Sequence, residues 1–227
     1  MEAYKSSRFQ DYVDWLKKED IMAVNKSYKC PKIKLCGLSS VSDIEAANAL
    51  KPEFIGFVIW EKSKRNVSKD KAAKLKELLD PDIKAVGVFV DEDVEIVADL
   101  LNRNIIDIAQ LHGNEDNRYI AALKENTDKH VIKAFQVKSS DDIADIEKSD
   151  ADFVLIDSGQ GTGKAFDWKI LEGVKRDFFL AGGLDPDNVA EAVRAVAPYA
   201  IDVSSGIETN GKKDRIKMER FVGNARN

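Results

Sequence analysis

Short apolar runs recur along the chain, each followed by a longer stretch of mixed polar and apolar residues. The runs are KIKLC (32–36), FIGFVI (54–59), KAVGVFV (84–90), IDIAQLH (106–112), VIKAFQV (131–137), FVLID (153–157), FFLAG (178–182) and AIDVSS (200–205). Each is of strand length. Between them, apolar residues return with a helical period, as at Val94, Val97, Ala98 and Leu101, or at Val189, Ala192, Val193 and Val196. Ser42, Ser68 and Asp187 stand where helix-start signals are expected. Strands alternating with helices indicate βαβ units and a parallel sheet. Eight such units favour one closed (β/α)8 barrel, the TIM-barrel architecture, over an open doubly wound sheet, for which about five or six strands are usual.

Residues 1–31 precede the first strand and fall outside the repeat. Phe9, Tyr12, Val13 and Leu16 lie at helical spacing, so an extra N-terminal helix is expected there. It either covers the N-terminal end of the barrel or makes an oligomer contact. The barrel itself is expected to occupy residues 32–227 as a single catalytic domain, and the full length of 227 residues suits this, since such barrels commonly run to roughly 200–250.

Charge and cysteine usage narrow the function. A net charge of −5 argues against a nucleic-acid surface, which needs a concentrated basic patch. It leaves room for a small anion held by backbone N–H groups. No apolar stretch approaches the ~20 residues of a membrane-spanning helix. The opening MEAYKSSRFQDYVDWLKKED lacks the apolar core and small-residue cleavage site of a secretory signal. The two cysteines, Cys30 and Cys36, cannot build a disulfide framework, so the expected compartment is the cytoplasm.

In a barrel of this kind all strand ends meet at one mouth. Cys36 closes the first run and Asp157 the sixth. A thiol facing a carboxyl there could move protons at two places on one small substrate, which is acid–base chemistry without a metal. With His112 and His130 as the only histidines, no metal cluster is proposed. The glycine-rich stretch SGQGTGKAF (158–166) fails as a P-loop, because Ser158 and Ala165 occupy positions that need Gly and Ser or Thr. Its G-x-G-x-G spacing also fails the dinucleotide fingerprint. What remains is a loop able to fold over a ligand and exclude water, with an ordinary surface loop as the alternative. Gly182-Gly183 after the seventh run and Ser204-Ser205-Gly206 after the eighth occupy the loops that often bind phosphate in these barrels. Arg65 is a candidate clamp for a carboxylate, with a solvated surface charge as the alternative. His112 ends the fourth run among the mouth residues. Cys30, before the first strand and next to Pro31, is expected to do nothing chemical.

These motifs together resemble phosphoribosylanthranilate isomerase of tryptophan biosynthesis. The resemblance rests on KIKLCGL (32–38), FVIWEKSKRNVS (57–68), QLHGNE (110–115), LIDSGQGTGKAFDW (155–168), LAGGLDPDNV (180–189) and IDVSSGIE (201–208), six fragments in the family's order. It implies a cofactor-free barrel, active as a monomer or homodimer, that converts N-(5-phosphoribosyl)anthranilate to its 1-deoxyribulose 5-phosphate product by an Amadori rearrangement. By position, Cys36 matches the general base, Asp157 the general acid and Arg65 the arginine that holds the anthranilate carboxylate. Gly182, Gly183, Ser204 and Ser205 fall in the phosphate loops, Asp202 near the substrate amine and hydroxyls, and Gln110 and His112 in a fragment expected at the substrate. The thiol must be ionised and the carboxyl protonated; helix N-termini are expected to favour the thiolate. The chain departs from the family pattern at Lys64 and Asn66, where a proline and an aromatic residue are expected. The sister isomerase of histidine biosynthesis would place an aspartate where Cys36 stands, and a barrel that only binds phosphorylated ligands would not need the Cys36–Asp157 pair.

Overall fold

Each apolar run forms a strand. β1 (Lys32–Cys36), β2 (Phe54–Val58), β3 (Lys84–Phe89), β4 (Ile108–Leu111), β5 (His130–Gln136), β6 (Phe153–Asp157), β7 (Phe178–Ala181) and β8 (Ala200–Val203) pair in parallel in chain order, and β8 closes on β1. The computed structural model describes residues 30–157 and 168–227. The helix expected around Phe9 and Leu16 and the glycine-rich stretch 158–166 lie outside those residues. The fourth run is trimmed at its start, where the Asp107 carboxylate accepts the Ala85 N–H at 2.7 Å.

The strands are separated by α1 (Val41–Leu50), α2 (Lys69–Glu77), α3 (Val94–Asn102), α4 (Asn117–Asn126), α5 (Ile143–Glu147), a 3-10 segment at Trp168–Gly173 and α6 (Val189–Val196), and α7 (Arg215–Arg226) follows β8. Two helix starts differ from the expected residues. α1 is capped by Ser40, not Ser42: the Ser40 hydroxyl accepts from Asp43 N at 3.3 Å while the Asp43 carboxylate accepts from Ser40 N at 3.0 Å. That reciprocal pair satisfies two otherwise unpaired donors, which a lone Ser42 could not do. α6 is entered through Asn188, because the Asp185 carboxylate accepts the N–H groups of Asp187 and Asn188 and ties the turn. Asp187 points away instead and pairs with Arg220 at 2.6 Å. Ser68 caps α2 as expected, accepting from Lys71 N at 3.3 Å.

Alternation along the strands divides the core in two. Ile33, Leu35, Ile55 and Phe57 face outward and pack with helix residues such as Val97 and Leu101. Burial of each such side chain stabilises by about 1.5–3 kcal/mol, and truncating Leu101 to Ala would cost about 2–5 kcal/mol. Inside the barrel, Phe54, Phe153, Phe179 and Tyr199 form an aromatic floor, with ring centroids 5.3 Å apart for Phe54–Phe179 and 5.5 Å for Phe153–Tyr199. The floor fills the N-terminal end and leaves the opposite end for chemistry. Among the described residues no helix is long and apolar enough to cross a membrane.

Candidate active site

The alternation that sends Phe54, Phe153 and Phe179 inward at the floor sends Cys36, Gln110, Asp157 and Asp202 inward at the mouth. A cavity of about 410 Å³ opens there, and every site residue expected from the sequence lines it: Cys36, Arg65, Gln110, His112, Asp157, Gly182, Gly183, Asp202, Ser204 and Ser205. Trp60, Ser63 and Leu184 line it as well. A second hollow of about 450 Å³ shares Val90, His112 and Asp157 with the first and extends toward Gln136.

Cys36 is buried at the end of β1, opposite Gly56 of β2 in the ladder. Burial pushes its thiol up from the ordinary value, Lys34 pulls it down, Asp202 pushes it up, and Lys213 pulls it down. The groups favouring the thiolate are therefore lysines. The helix start nearest in sequence, that of α1, has its own cap in Ser40 and Asp43. Lys34 has no solvent exposure, and its Nζ lies 2.9 Å from Asp202 Oδ1.

Across the cavity, Asp157 ends β6 with His112 Nε2 at 3.8 Å from its Oδ2. The Gln110 amide nitrogen donates to His112 Nδ1 at 2.9 Å, which places the ring proton on Nε2, the nitrogen that faces Asp157. Burial lowers the His112 pKa against the opposing pull of Asp157, so the ring is neutral at pH 7. The loop carrying His112 is held by a buried pair: Lys133 Nζ donates to Gly113 O at 2.7 Å and to Glu115 Oε2 at 2.9 Å. Gln110 Oε1 is buried without a protein partner among the described residues. An acceptor stranded in this way costs about 1–3 kcal/mol unless a ligand donor satisfies it.

Arg65 reaches the mouth from the loop after β2. Its Nε and Nη2 donate to the two Glu208 oxygens at 2.6 and 2.8 Å. Glu208 belongs to a small antiparallel hairpin after β8, β9 (Glu208–Thr209) and β10 (Lys212–Lys213). Lys213 Nζ donates to the same carboxylate at 2.8 Å and to Ser204 O at 2.9 Å. Burial alone would raise the Glu208 pKa, but Arg65 and Lys213 together hold it down at about 2. The loop that carries Arg65 is fixed by local bonds. Asn66 bridges to Val58, and its side chain accepts from Trp60 N at 3.1 Å, fixing the loop without proline.

The two loops expected to bind phosphate lie together. Gly182 and Gly183 have φ of 91° and 64°, a region that side-chain-bearing residues rarely enter. Gly206 presses onto the neighbouring loop so closely that a Cβ there would stand 2.0 Å from Leu184 O. Ser204 leads into a 3-10 turn, Ser205–Ile207. Asn188 Nδ2 donates to Gly183 O at 2.8 Å and joins the β7 loop to the start of α6.

Three further charged residues, Lys34, Glu208 and Lys213, bond to residues that line this cavity. Lys34 stands two residues before Cys36, on the same inward face, and that parity was the available signal. Glu208 and Lys213 sit in a segment, ETNGKK, whose charges read as a solvated turn.

Comparison with known proteins agrees with this arrangement. The family model described as N-(5'-phosphoribosyl)anthranilate isomerase matches residues 33–224. A relative of that name from Endomicrobium trichonymphae is 44% identical over 197 residues, covering 85% of this chain and 96% of its own. Another from a Thermoanaerobacter species is 43% identical over 202 residues, covering 86% and 98%. Among solved structures, the phosphoribosylanthranilate isomerase of Thermotoga maritima superposes with a TM-score of 0.78 at 33% identity, covering 86% of this chain and 98% of that one. A phosphoribosylanthranilate isomerase in complex with reduced 1-(o-carboxyphenylamino)-1-deoxyribulose 5-phosphate superposes with a TM-score of 0.75 at 32% identity, covering 86% and 98%. With a closed barrel, a thiol and a carboxyl at one mouth and this match over nearly all of the described residues, the chain belongs to the N-(5'-phosphoribosyl)anthranilate isomerase family.

Proposed function

We propose that residues 32–227 act as one catalytic barrel, a cytoplasmic isomerase that converts N-(5'-phosphoribosyl)anthranilate to 1-(2-carboxyphenylamino)-1-deoxyribulose 5-phosphate in tryptophan biosynthesis. The observation that carries the assignment of roles is the convergence of Cys36 and Asp157 on one cavity that also contains Arg65 and the Gly183 and Ser204–Ser205 loops. The phosphate rests against those loops, where glycine lets backbone N–H groups approach an anion closely. The anthranilate carboxylate meets Arg65. Asp202 serves the amine and hydroxyls, and a sugar hydroxyl donates to the stranded Gln110 Oε1.

Asp157 gives its proton to the furanose ring oxygen. The C1–O bond breaks toward that oxygen, and the anilino nitrogen lone pair forms the C1=N bond of a Schiff base. His112, neutral with its proton on Nε2, keeps the Asp157 side chain oriented. The Cys36 thiolate then removes the C2 proton, and the released electron pair forms the enolamine, which tautomerises to the ketone. Each proton transfer is worth roughly 10²–10⁴-fold, and anchoring at both ends of the substrate supplies much of the remainder by fixing the reacting atoms. The test is a coupled assay that generates phosphoribosylanthranilate in situ and follows its fluorescence. Enzyme-dependent loss of the signal is expected; a decay no faster than the uncatalysed one overturns the assignment.

A further inference from the structure

Lys34 is among the largest fully buried side chains of the described residues, and it lies in the barrel interior beside Phe54, its register partner on β2. Burying an ammonium is costly, and apolar replacement of a buried ion pair is often neutral or stabilising. Stability therefore does not account for a lysine at this position. Its geometry points elsewhere. The β1–β8 register sets Lys34 beside Asp202, and strand alternation sets it one inward step below Cys36. Its Nζ donates to Asp202 Oδ1 at 2.9 Å, and its charge favours the Cys36 thiolate. Asp202 itself lines the cavity, so the pair connects the interior to the substrate.

We infer that Lys34 is a positioning residue for the base, a buried counter-charge that receives the Cys36 thiolate as it forms, with Asp202 keeping the ammonium in place. The proposal rests on the reading of Cys36 as the base. Every charged group around the thiol bears on it. Lys34 approaches from β1, Asp202 from β8, Lys213 from the hairpin and Arg65 from the β2 loop, while His112 and Asp157 face it across the cavity. Lys213 and Arg65 are both engaged by the Glu208 carboxylate, which offsets much of their charge. Among the described residues Asp202 is the carboxylate that pairs with Lys34, and of the cations around Cys36 it is Lys34 that favours the thiolate most. Burial would lower its own pKa, yet Asp202 and Cys36 more than offset this and raise it, so it stays charged throughout the working range.

The test is the rate at which iodoacetamide alkylates Cys36 in ligand-free, full-length protein carrying Cys30→Ser, followed by peptide mass from neutral to alkaline pH. That rate tracks the thiolate fraction. Lys34→Met should lower it roughly tenfold or more at fixed pH, the effect of losing an adjacent opposite charge. Asp202→Asn should raise it, because a neighbouring negative charge is removed while the lysine remains. The double variant Lys34→Met/Asp202→Asn leaves no unpaired buried charge, so it reports even if Lys34→Met alone fails to fold; it should alkylate roughly tenfold or more slowly than Asp202→Asn. Equal rates in the double variant and Asp202→Asn would overturn the proposal. Failure of the catalytic reading is seen separately, as turnover retained by Cys36→Ser.

Discussion

Arg65 and Glu208, 143 residues apart in sequence, close a two-pronged ion pair at the barrel mouth through Nε and Nη2. A guanidinium has a second edge, formed by Nη1 and Nη2, suited to another carboxylate. Glu208 therefore holds the arginine by one edge and presents the other to the cavity. This fixes a long, flexible side chain before substrate arrives and lowers the entropy lost on binding.

If that edge receives the anthranilate carboxylate, Arg65→Ala should weaken substrate binding by roughly 1.5–3 kcal/mol, the range for a charge-assisted hydrogen bond. Arg65→Lys should recover only part of the loss, since an ammonium can pair with Glu208 or with the substrate but not present two edges. Steady-state kinetics decide the matter. An unchanged kcat/KM in the alanine variant would remove Arg65 from the site.

Glu208 also predicts how stability responds to acid. Its carboxyl titrates at about 2 in the folded protein against an ordinary value of 4.5. In that window the unfolded chain binds a proton that the folded protein refuses, so the stabilisation from this group is complete above 4.5 and is lost as pH falls toward 2. Glu208→Gln should be less stable than the parent at pH 6, and the gap should close across that acidic window. Urea unfolding at several pH values measures it. A gap independent of pH would mean that the ion pairs with Arg65 and Lys213 contribute nothing.

What could be read from the sequence follows physical lines. β1 and β6 have the same limits in the structure as in the sequence, because each apolar run ends abruptly at a polar residue, Cys36 or Asp157, that faces the cavity. The ten expected site residues reach one cavity because alternation and strand parity carry them there. Lys34 escaped because a lysine in a strand reads as solvent-facing, and only its parity with Cys36 marks it as internal. Glu208 and Lys213 escaped for a different reason. Their two-residue strands carry no hydrophobic period, and their importance arises from contacts with Arg65 and Ser204 that only the folded chain creates. The misplaced caps at Ser42 and Asp187 show how a second carboxylate nearby, Asp43 or Asp185, decides which residue closes a helix.

The phosphate loops give a prediction that does not depend on turnover. A crystal grown from phosphate or sulfate should place the anion against Gly183 and the Ser204–Ser205 segment. Gly206→Ala forces a methyl group to within 2.0 Å of Leu184 O unless the two loops separate. Overpacking of this kind costs about 1–3 kcal/mol. The variant should melt lower, raise KM and weaken inhibition by inorganic phosphate. A strong anion site found elsewhere, with Gly206→Ala behaving as the parent, would remove the phosphate assignment.

The last prediction separates acid from base. Cys36→Ser preserves shape but replaces the thiol with a hydroxyl that ionises only at far higher pH. Asp157→Asn preserves shape and hydrogen bonding but cannot donate an acidic proton. Neither residue is assigned an anchoring role, so both variants should bind a product analogue and lose activity in kcat, the sign of interactions needed only in the transition state. The loss should be at least about 10²-fold, the minimum for a group that transfers a proton. Retention of more than about a tenth of parental kcat would remove that residue from the chemistry. The pH profile adds a sharper constraint. Burial raises the Cys36 thiol, and in a pair whose base has the higher pKa, the correctly protonated form is a constant minor fraction between the two values. The profile of kcat/KM is still a bell, but its basic limb then reports the base. Lys34→Met should therefore move the basic limb upward, lower the plateau by the same factor and leave the acidic limb in place. A profile in which neither limb moves would show that the thiol is not the group that removes the C2 proton.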